Sequence, residues 1–545
     1  MNSVSKRPRA GFAALVAAGI LLSRLSGFVR QKIFSYYLGN SDAAGVFSAA
    51  YRIPNFLQNL FGEGVLSASF IPVYARLLAQ KDEKLAGRVA GVFVSILALG
   101  VSVIVLISVL LTPYILDLIA PGFEGDVRAL TIRIVRILFP GVGLLVLSAW
   151  CLGILNSHHK FFLSYVAPVL WNAAMIATLV IFGTRLRQQD LAIALSWGTV
   201  IGSAAQFGIQ LPFVFRYAPQ ISFGLDRFLE PVRDIFRNLG PVVVGRGVVQ
   251  LSAYVDQMIA SYLPEGAVSS LAYAQIIYLL PISLFGMSVA AAELPQMSRE
   301  TGVAEDVHAA LRRRLERGLR QIAFFVIPSV IALILIGRVL VAALYQTGQF
   351  GSEQTLYVWY ILVGSTVGLL AMTLGRLYSS AFYALRDTRT PLKFAVARVA
   401  LTGILGYLFA FPLRWIIVDV VGLLQMRLPN LPGGSATMGT VGLTASAGVA
   451  GWLEFLLLRH SMEKRIGEVA FPIAFQARLW SSAIAAGVAA LAFDFFIAQG
   501  ISSHLPLHHV TEAVLVCGVF GIVYFAATIL LGVPEARATM GRLKR

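Results

Sequence analysis

The sequence predicts an all-α polytopic membrane protein with about fourteen transmembrane helices. These form two six-helix lobes related by a parallel pseudo-twofold repeat, plus two C-terminal helices. Three observations lead there. The 545 residues are 57% hydrophobic and only 13% charged, against about 25% charged in a typical soluble domain. The basic residues gather on one side of an alternating topology. The first part of the chain is repeated in its second half.

Apolar runs long enough to cross a bilayer recur from end to end. They centre on 11–36, 43–76 (long, interrupted near Gly62–Gly64), 86–111, 128–155, 161–184, 190–215, 238–263, 267–297, 320–345, 354–385, 391–412, 436–458, 474–498 and 510–533. Most connections are short; the longer ones lie near 216–237, 299–319 and 412–435. The basic start MNSVSKRPRA leads into the first span with no small-residue cleavage site, so no removable signal peptide is expected.

With the N-terminus placed inside, 29 Lys and Arg residues fall in inside segments. Only Arg128, Arg185, Arg187, Arg414 and Arg427 fall outside. The positive-inside rule then puts both termini in the cytoplasm. The net charge of +17 therefore reports topology and attraction to anionic lipid, and excludes nucleic acid as a partner. Cys151 and Cys517 make no metal or redox motif and are expected to be buried, inert thiols. No Walker A sequence is present, and the five histidines at loops lack metal-ligand spacing.

The repeat appears twice. SGFVRQKIFSYY (26–37) matches SAYVDQMIASYL (252–263) at six of twelve positions, and LFGEGVLSASF (60–70) resembles LFGMSVAAAEL (284–294). The offsets, 226 and 224 residues, agree on one period. Spans 1 and 2 thus correspond to spans 7 and 8 with the same orientation across the membrane. The expected domains are an N-terminal lobe (1–217), a cytoplasmic linker (218–237), a C-terminal lobe (238–459), and residues 460–545 carrying the last two spans and a basic cytoplasmic tail.

Ten basic residues lie inside spans: Arg24, Arg30, Lys32, Arg52, Arg133, Arg136, Arg246, Arg338, Arg376 and Arg398. A charge at the centre of a spanning helix costs about 2.5–3.5 kcal/mol on insertion scales. Lys32, Arg133, Arg136 and Arg338 sit near span ends and can snorkel. Arg24, Arg52 and Arg246 lie deeper. In span 2, Arg52, Asn55, Asn59 and Gly62 recur at intervals of 3, 4 and 3, a polar stripe bordered by Gln58. Arg24 and Arg30 are about 120° apart and about 9 Å along their helix, compatible with a broad cavity. The reading is a cationic, hydrated cavity between the lobes that binds phosphate, since the planar guanidinium fork pairs with phosphate oxygens and stays protonated. Candidate substrate-binding residues are Arg24, Arg30, Arg52, Asn55, Gln58 and Arg246. The structural alternative is interhelical ion pairs or carbonyl caps.

Arg30 aligns with Asp256 in the repeat, making Asp256 a candidate gate partner or cation site. Arg398 and Glu454 are a candidate structural ion pair. Asp494 has no evident partner. The first outer loop holds only Asp42, and no motif of catalytic acids appears, so no enzymatic activity is expected.

SRLSGFVRQKIFSYYLG, YRIPNFLQNLFGEGVLSASFIPVYA, ASYLPEGAVSSLAYA and FYALRDTRTPLKFA resemble the MurJ (MviN) lipid II flippase family of the MOP exporter superfamily. The resemblance covers nearly the whole chain. It implies a role in peptidoglycan and cell-wall biogenesis in the bacterial inner membrane. The implied partners are an undecaprenyl-diphosphate-linked disaccharide peptide and membrane lipids, with other cell-wall synthesis proteins as candidates. It implies no cofactor, coupling to Na+ or to membrane potential, and an apolar groove near spans 13 and 14 for the polyprenyl tail. Arg24 and Arg30 match two arginines of the family's span 1, and Arg52 stands where a lysine is usual. The family's span-2 and span-8 arginines fall at Gln58 and Ile276, and acids fall at Gly45 and Leu279. Arg246 occupies a span-7 position that is usually uncharged. Gly406 and Ala450 stand in spans 11 and 12, where polar groups would help a sodium ion. Alternatives are a flippase for another polyprenyl-linked oligosaccharide, a MOP-type small-molecule antiporter, and a non-transporting scaffold.

Overall fold

The computed structural model describes residues 10–543 except 159, 227, 288, 290–292, 294–296, 298–303, 386, 499 and 501–506; the side chains of 10–18, 20, 63–65, 67, 68, 161, 238, 240–253, 287, 304–306 and 540–543 are also left undescribed. The chain is all-helical, with no strand among the described residues beyond one Thr347–Phe350 bridge. Among the described residues, each of the fourteen predicted segments contains helix, and eleven helices are long and apolar enough to cross a membrane. The chain is a multi-pass membrane protein. It divides into two compact units, Met1–Tyr254 and Val255–Arg545.

The first unit contains α1 (Ala10–Leu38), α2 (Asp42–Phe61), α3 (Glu63–Ala79), α4 (Glu83–Leu110), α5 (Thr112–Ile119), α6 (Gly125–Ser157), α7 (Phe161–Phe182), α8 (Gln188–Tyr217) and most of α9 (Glu230–Ala260). α6 is its centre, packing on α2, α3, α4 and α8, while α1 packs on α7. The long second span is two helices. Its break falls at Gly62, where a Cβ would strike the Gln58 carbonyl. Beneath it, Phe70 stacks on Phe93 and Tyr74, and Trp150, Cys151 and Ile154 close a core.

The second unit begins within α9, continues with α10 (Ala267–Pro281) and a π turn at Ile282–Met287, and centres on the helix Ser352–Ala384. That helix packs on Met438–Ile466, which in turn carries Arg389–Ala410. A Cβ on Gly368 would fall on the backbone of Gly448, so two glycines let these helices touch main chain to main chain. The helix Ala304–Leu335 joins Ser352–Ala384 to the hairpin of Ile473–Phe493 and His508–Leu530.

Outward faces are apolar, as lipid requires. Leu99, Val103, Leu106 and Leu110 repeat at helical spacing on α4, all exposed. Cys517 is exposed too, correcting the expectation of burial, whereas Cys151 is buried. A cysteine in an apolar run carries no sign of which way it points. The DTRTP loop has a local cause. The Asp387 carboxylate accepts from the Arg389 and Thr390 amides (both 3.0 Å), the Thr390 hydroxyl (2.7 Å) and Arg465 Nη2 (2.6 Å). It thereby caps Arg389–Ala410 and ties it to the end of Met438–Ile466.

Candidate functional site

In the first unit the geometry gathers around Arg30 rather than Arg24. Ser23, Ser26 and Arg30 follow each other at intervals of 3 and 4 on α1, so they share a face. Asn172 on α7 donates to Ser26 Oγ at 2.9 Å, and Ser26 Oγ donates to the Ser23 carbonyl at 2.8 Å. One turn on, the Arg30 guanidinium lies 4.8 Å from the Trp171 ring centre, with Nη1 3.7 Å from Met175 Sδ. Tyr51 of α2 stands beside Trp171, ring centres 6.0 Å apart, within electrostatic reach of Arg30. Among the described residues Arg30 forms no ion pair. A cation on a tryptophan face is stabilised without being neutralised, so it stays able to attract an anion. Arg24 is exposed on another face of α1.

Arg52, Asn55, Gln58 and Asn59 are all partly buried on α2. The Tyr254 hydroxyl donates to the Arg52 carbonyl at 3.0 Å, and its ring meets Phe56 edge-on at 5.7 Å. α9 therefore touches the polar stripe through Tyr254. The Arg246 side chain lies outside the described residues.

In the second unit Arg398 Nε is 3.0 Å from Glu454 Oε2, a charge contact rather than an aligned hydrogen bond, and Nη1 is 3.3 Å from Met372 Sδ. Arg376 interacts electrostatically with Arg398, Glu454 and Tyr278; Tyr278 does so with Asp256 as well. Asp256 is partly buried.

Sequence reasoning missed Trp171, Met175, Tyr51, Tyr254 and Tyr278, which are ordinary residues in apolar runs. Nor did it find the neighbour of Asp494, whose carboxyl interacts electrostatically with that of Glu512. His158, at the turn after α6, has a partner that the sequence did not show: Nε2 lies 3.0 Å from Tyr74 Oη.

The family model for "Lipid II flippase MurJ" matches residues 34–423. The chain belongs to the lipid II flippase MurJ family. The "Probable lipid II flippase MurJ" of Rhizobium meliloti is 30% identical over 530 residues, 95% of this chain and 93% of its own length. Among solved structures, "Lipid II flippase MurJ, inward closed conformation" is similar with a TM-score of 0.70 at 22% identity, covering 95% of this chain and 98% of that one. A "multidrug resistance MATE family transporter of the MOP superfamily", in an inward-facing conformation, gives 0.60 at 18% identity over 84% and 100%. These two likenesses show a shared fold. Membership of the MurJ family makes the chain a member of a transporter family.

Proposed function

We propose that the protein moves lipid II from the inner to the outer leaflet of the bacterial cytoplasmic membrane by alternating access, and catalyses no bond change. The match to the MurJ family over 34–423 carries this reading. The unneutralised Arg30 supports it, because a transporter of organic cations would gain from an acidic site instead. In this reading the diphosphate and sugars occupy a cationic cavity between two six-helix lobes while the polyprenyl tail stays in lipid. Fourteen spans put both termini in the cytoplasm. Proteoliposomes given labelled lipid II should show protein-dependent flipping, unaffected by excess organic cation; cation transport without flipping would support the antiporter instead.

Membrane potential is the favoured energy source. An inside-negative potential drives the diphosphate outward and draws the emptied, arginine-bearing site back inward, at about 2.3 kcal/mol per charge per 100 mV. Flipping that depends on Na+ and ignores an imposed potential would reverse that choice.

Two site roles follow. Arg246 supplies a cation that Gln58 and Ile276 do not; Arg246→Ala should abolish complementation of a flippase-depleted strain, and normal growth would sink this role. Arg30 and Asp256, equivalent in the repeat, pair at an outer gate. Exchanging the two residues should preserve more flipping than either single reversal, and an exchange as poor as the singles would exclude the gate. Arg398 and Glu454 serve structure.

A further inference from the structure

One cavity lies away from Arg30. Pro72, Val73 and Arg76 of α3 and Asp234 and Arg237 of α9 line a space of about 470 Å³, within the ordinary range for small-ligand sites, about 300–1,000 Å³. The two helices that carry it are packed next to it. Val73, Tyr74, Val232 and Ile235 are buried, and Phe236 packs on Phe93 with ring centres 5.5 Å apart. Its rim is charged. Arg76 and Arg237 are exposed, and Arg237 follows Asp234 by one helical turn.

Arg76 Nη2 approaches Asp234 Oδ2 only to 4.0 Å, with the side chains 58% and 47% exposed. A guanidinium has five N–H donors, so this loose contact leaves most of them available. We infer that this pocket is a second anion site, one that takes the phosphate or diphosphate of a ligand arriving from the cytoplasmic side.

The charge balance selects the ligand class. Two guanidiniums against one carboxylate leave the pocket net positive. A carboxylate ligand would only duplicate Asp234, and would have to displace an equal competitor. A phosphate monoester or diphosphate carries more charge and more acceptor oxygens, and can engage Arg76 and Arg237 together. In the orientation proposed above, Arg76 and Arg237 belong to the same cytoplasmic segments as Lys81, Lys84, Arg88 and Arg233. The pocket would then receive a phosphorylated head group from the inner leaflet before that group reaches Arg30. The inference rests on that orientation and on the flippase reading.

The test uses the full chain in nanodiscs of neutral lipid. Binding is measured first for inorganic pyrophosphate and then for undecaprenyl diphosphate placed in the disc. The double variant Arg76→Gln/Arg237→Gln should weaken binding at least tenfold, and Arg30→Ala should leave a pocket-dependent component. Asp234→Asn should tighten binding several-fold by removing the internal competitor. Arg76-dependent binding of the lipid diphosphate alone identifies a lipid head group as ligand; equal dependence for pyrophosphate identifies a soluble anion. Unchanged affinity for both probes in the double variant overturns the site, as does weaker binding in Asp234→Asn. Flipping is scored separately. A wild type that binds through Arg76 yet fails to flip lipid II refutes the flippase reading and leaves the anion site standing.

Discussion

Arg30 and Arg398 present the same problem and two solutions. Both are guanidiniums on apolar helices, each beside a methionine sulfur, Met175 at 3.7 Å and Met372 at 3.3 Å. Arg30 then rests on the Trp171 ring, while Arg398 meets the Glu454 carboxylate at 3.0 Å. The first arrangement holds a charge in place and leaves its field intact. The second sets a carboxylate against the charge and fixes two helices to each other. The repeat sharpens the contrast. An offset of about 226 residues carries Arg30 onto Asp256, and carries Trp171 to within a residue of Arg398. The two units thus use related positions with different electrostatic outcomes, a cation on a ring face in one and a cation beside a carboxylate in the other.

The contrast can be broken most forcefully by removing one member of each arrangement. Glu454→Gln leaves Arg398 facing a neutral group in a largely buried site, which costs about 3–5 kcal/mol when the pair is fully desolvated. Thermal unfolding in detergent should show a large drop in midpoint, and Arg398→Met/Glu454→Leu should recover most of it. Arg30→Ala should behave the other way round. Loss of a charge-assisted contact to phosphate, about 1.5–3 kcal/mol, should lower lipid II flipping roughly tenfold to a hundredfold while the unfolding midpoint barely moves. Equal thermal losses in both variants would show that Arg30 is a structural cation after all.

Trp171 tests the same idea more finely. Trp171→Leu keeps the apolar contact and removes the ring face, a cation–π contribution of about 0.5–2 kcal/mol. Flipping should fall by up to about tenfold, and Trp171→Phe should restore part of it. A Trp171→Leu protein with full flipping would mean that the ring is packing only.

How much of this was readable in the sequence depends on whether a residue contrasts with its surroundings. A charge in an apolar run stands out, so Arg30, Arg52, Arg398 and Glu454 could be singled out from composition alone. The span boundaries followed from the same contrast, and the break at Gly62 from glycine's lack of a Cβ. Trp171, Met175 and Tyr254 could not be found that way, because an aromatic or a methionine in a membrane helix looks like any other apolar residue. Their importance comes from helix rotation and from which neighbour α1 faces, properties of packing rather than of the run. The segment near 412–435 hides a helix, Arg414–Leu423, too short to register as a span. Asp494 looked isolated because Glu512 is on the next helix, and nothing in the spacing of the two residues announces their contact.

The smallest expected effect concerns Asp387, outside the spanning helices, where a charge is satisfied by design of the loop rather than by a partner helix alone. Hydrogen bonds from Thr390, through its hydroxyl and amide, and then from Arg465 hold its carboxyl well below the ordinary aspartate range. The group therefore binds its proton more readily in the unfolded chain than in the folded one. Its stabilising contribution is complete at neutral pH, begins to fall near the unfolded pKa of about 3.9, and disappears as pH drops through the lower folded value. Arg465 is partly exposed, with 41% of its side chain accessible, so solvent screening reduces its share, and the whole contribution is about 1 kcal/mol. Asp387→Asn should lower the unfolding midpoint by a few degrees at pH 7, and the gap from wild type should narrow steadily below pH 4. A gap that stays constant down to pH 3 would mean that loop geometry, and not the carboxylate charge, joins Arg389–Ala410 to the end of Met438–Ile466.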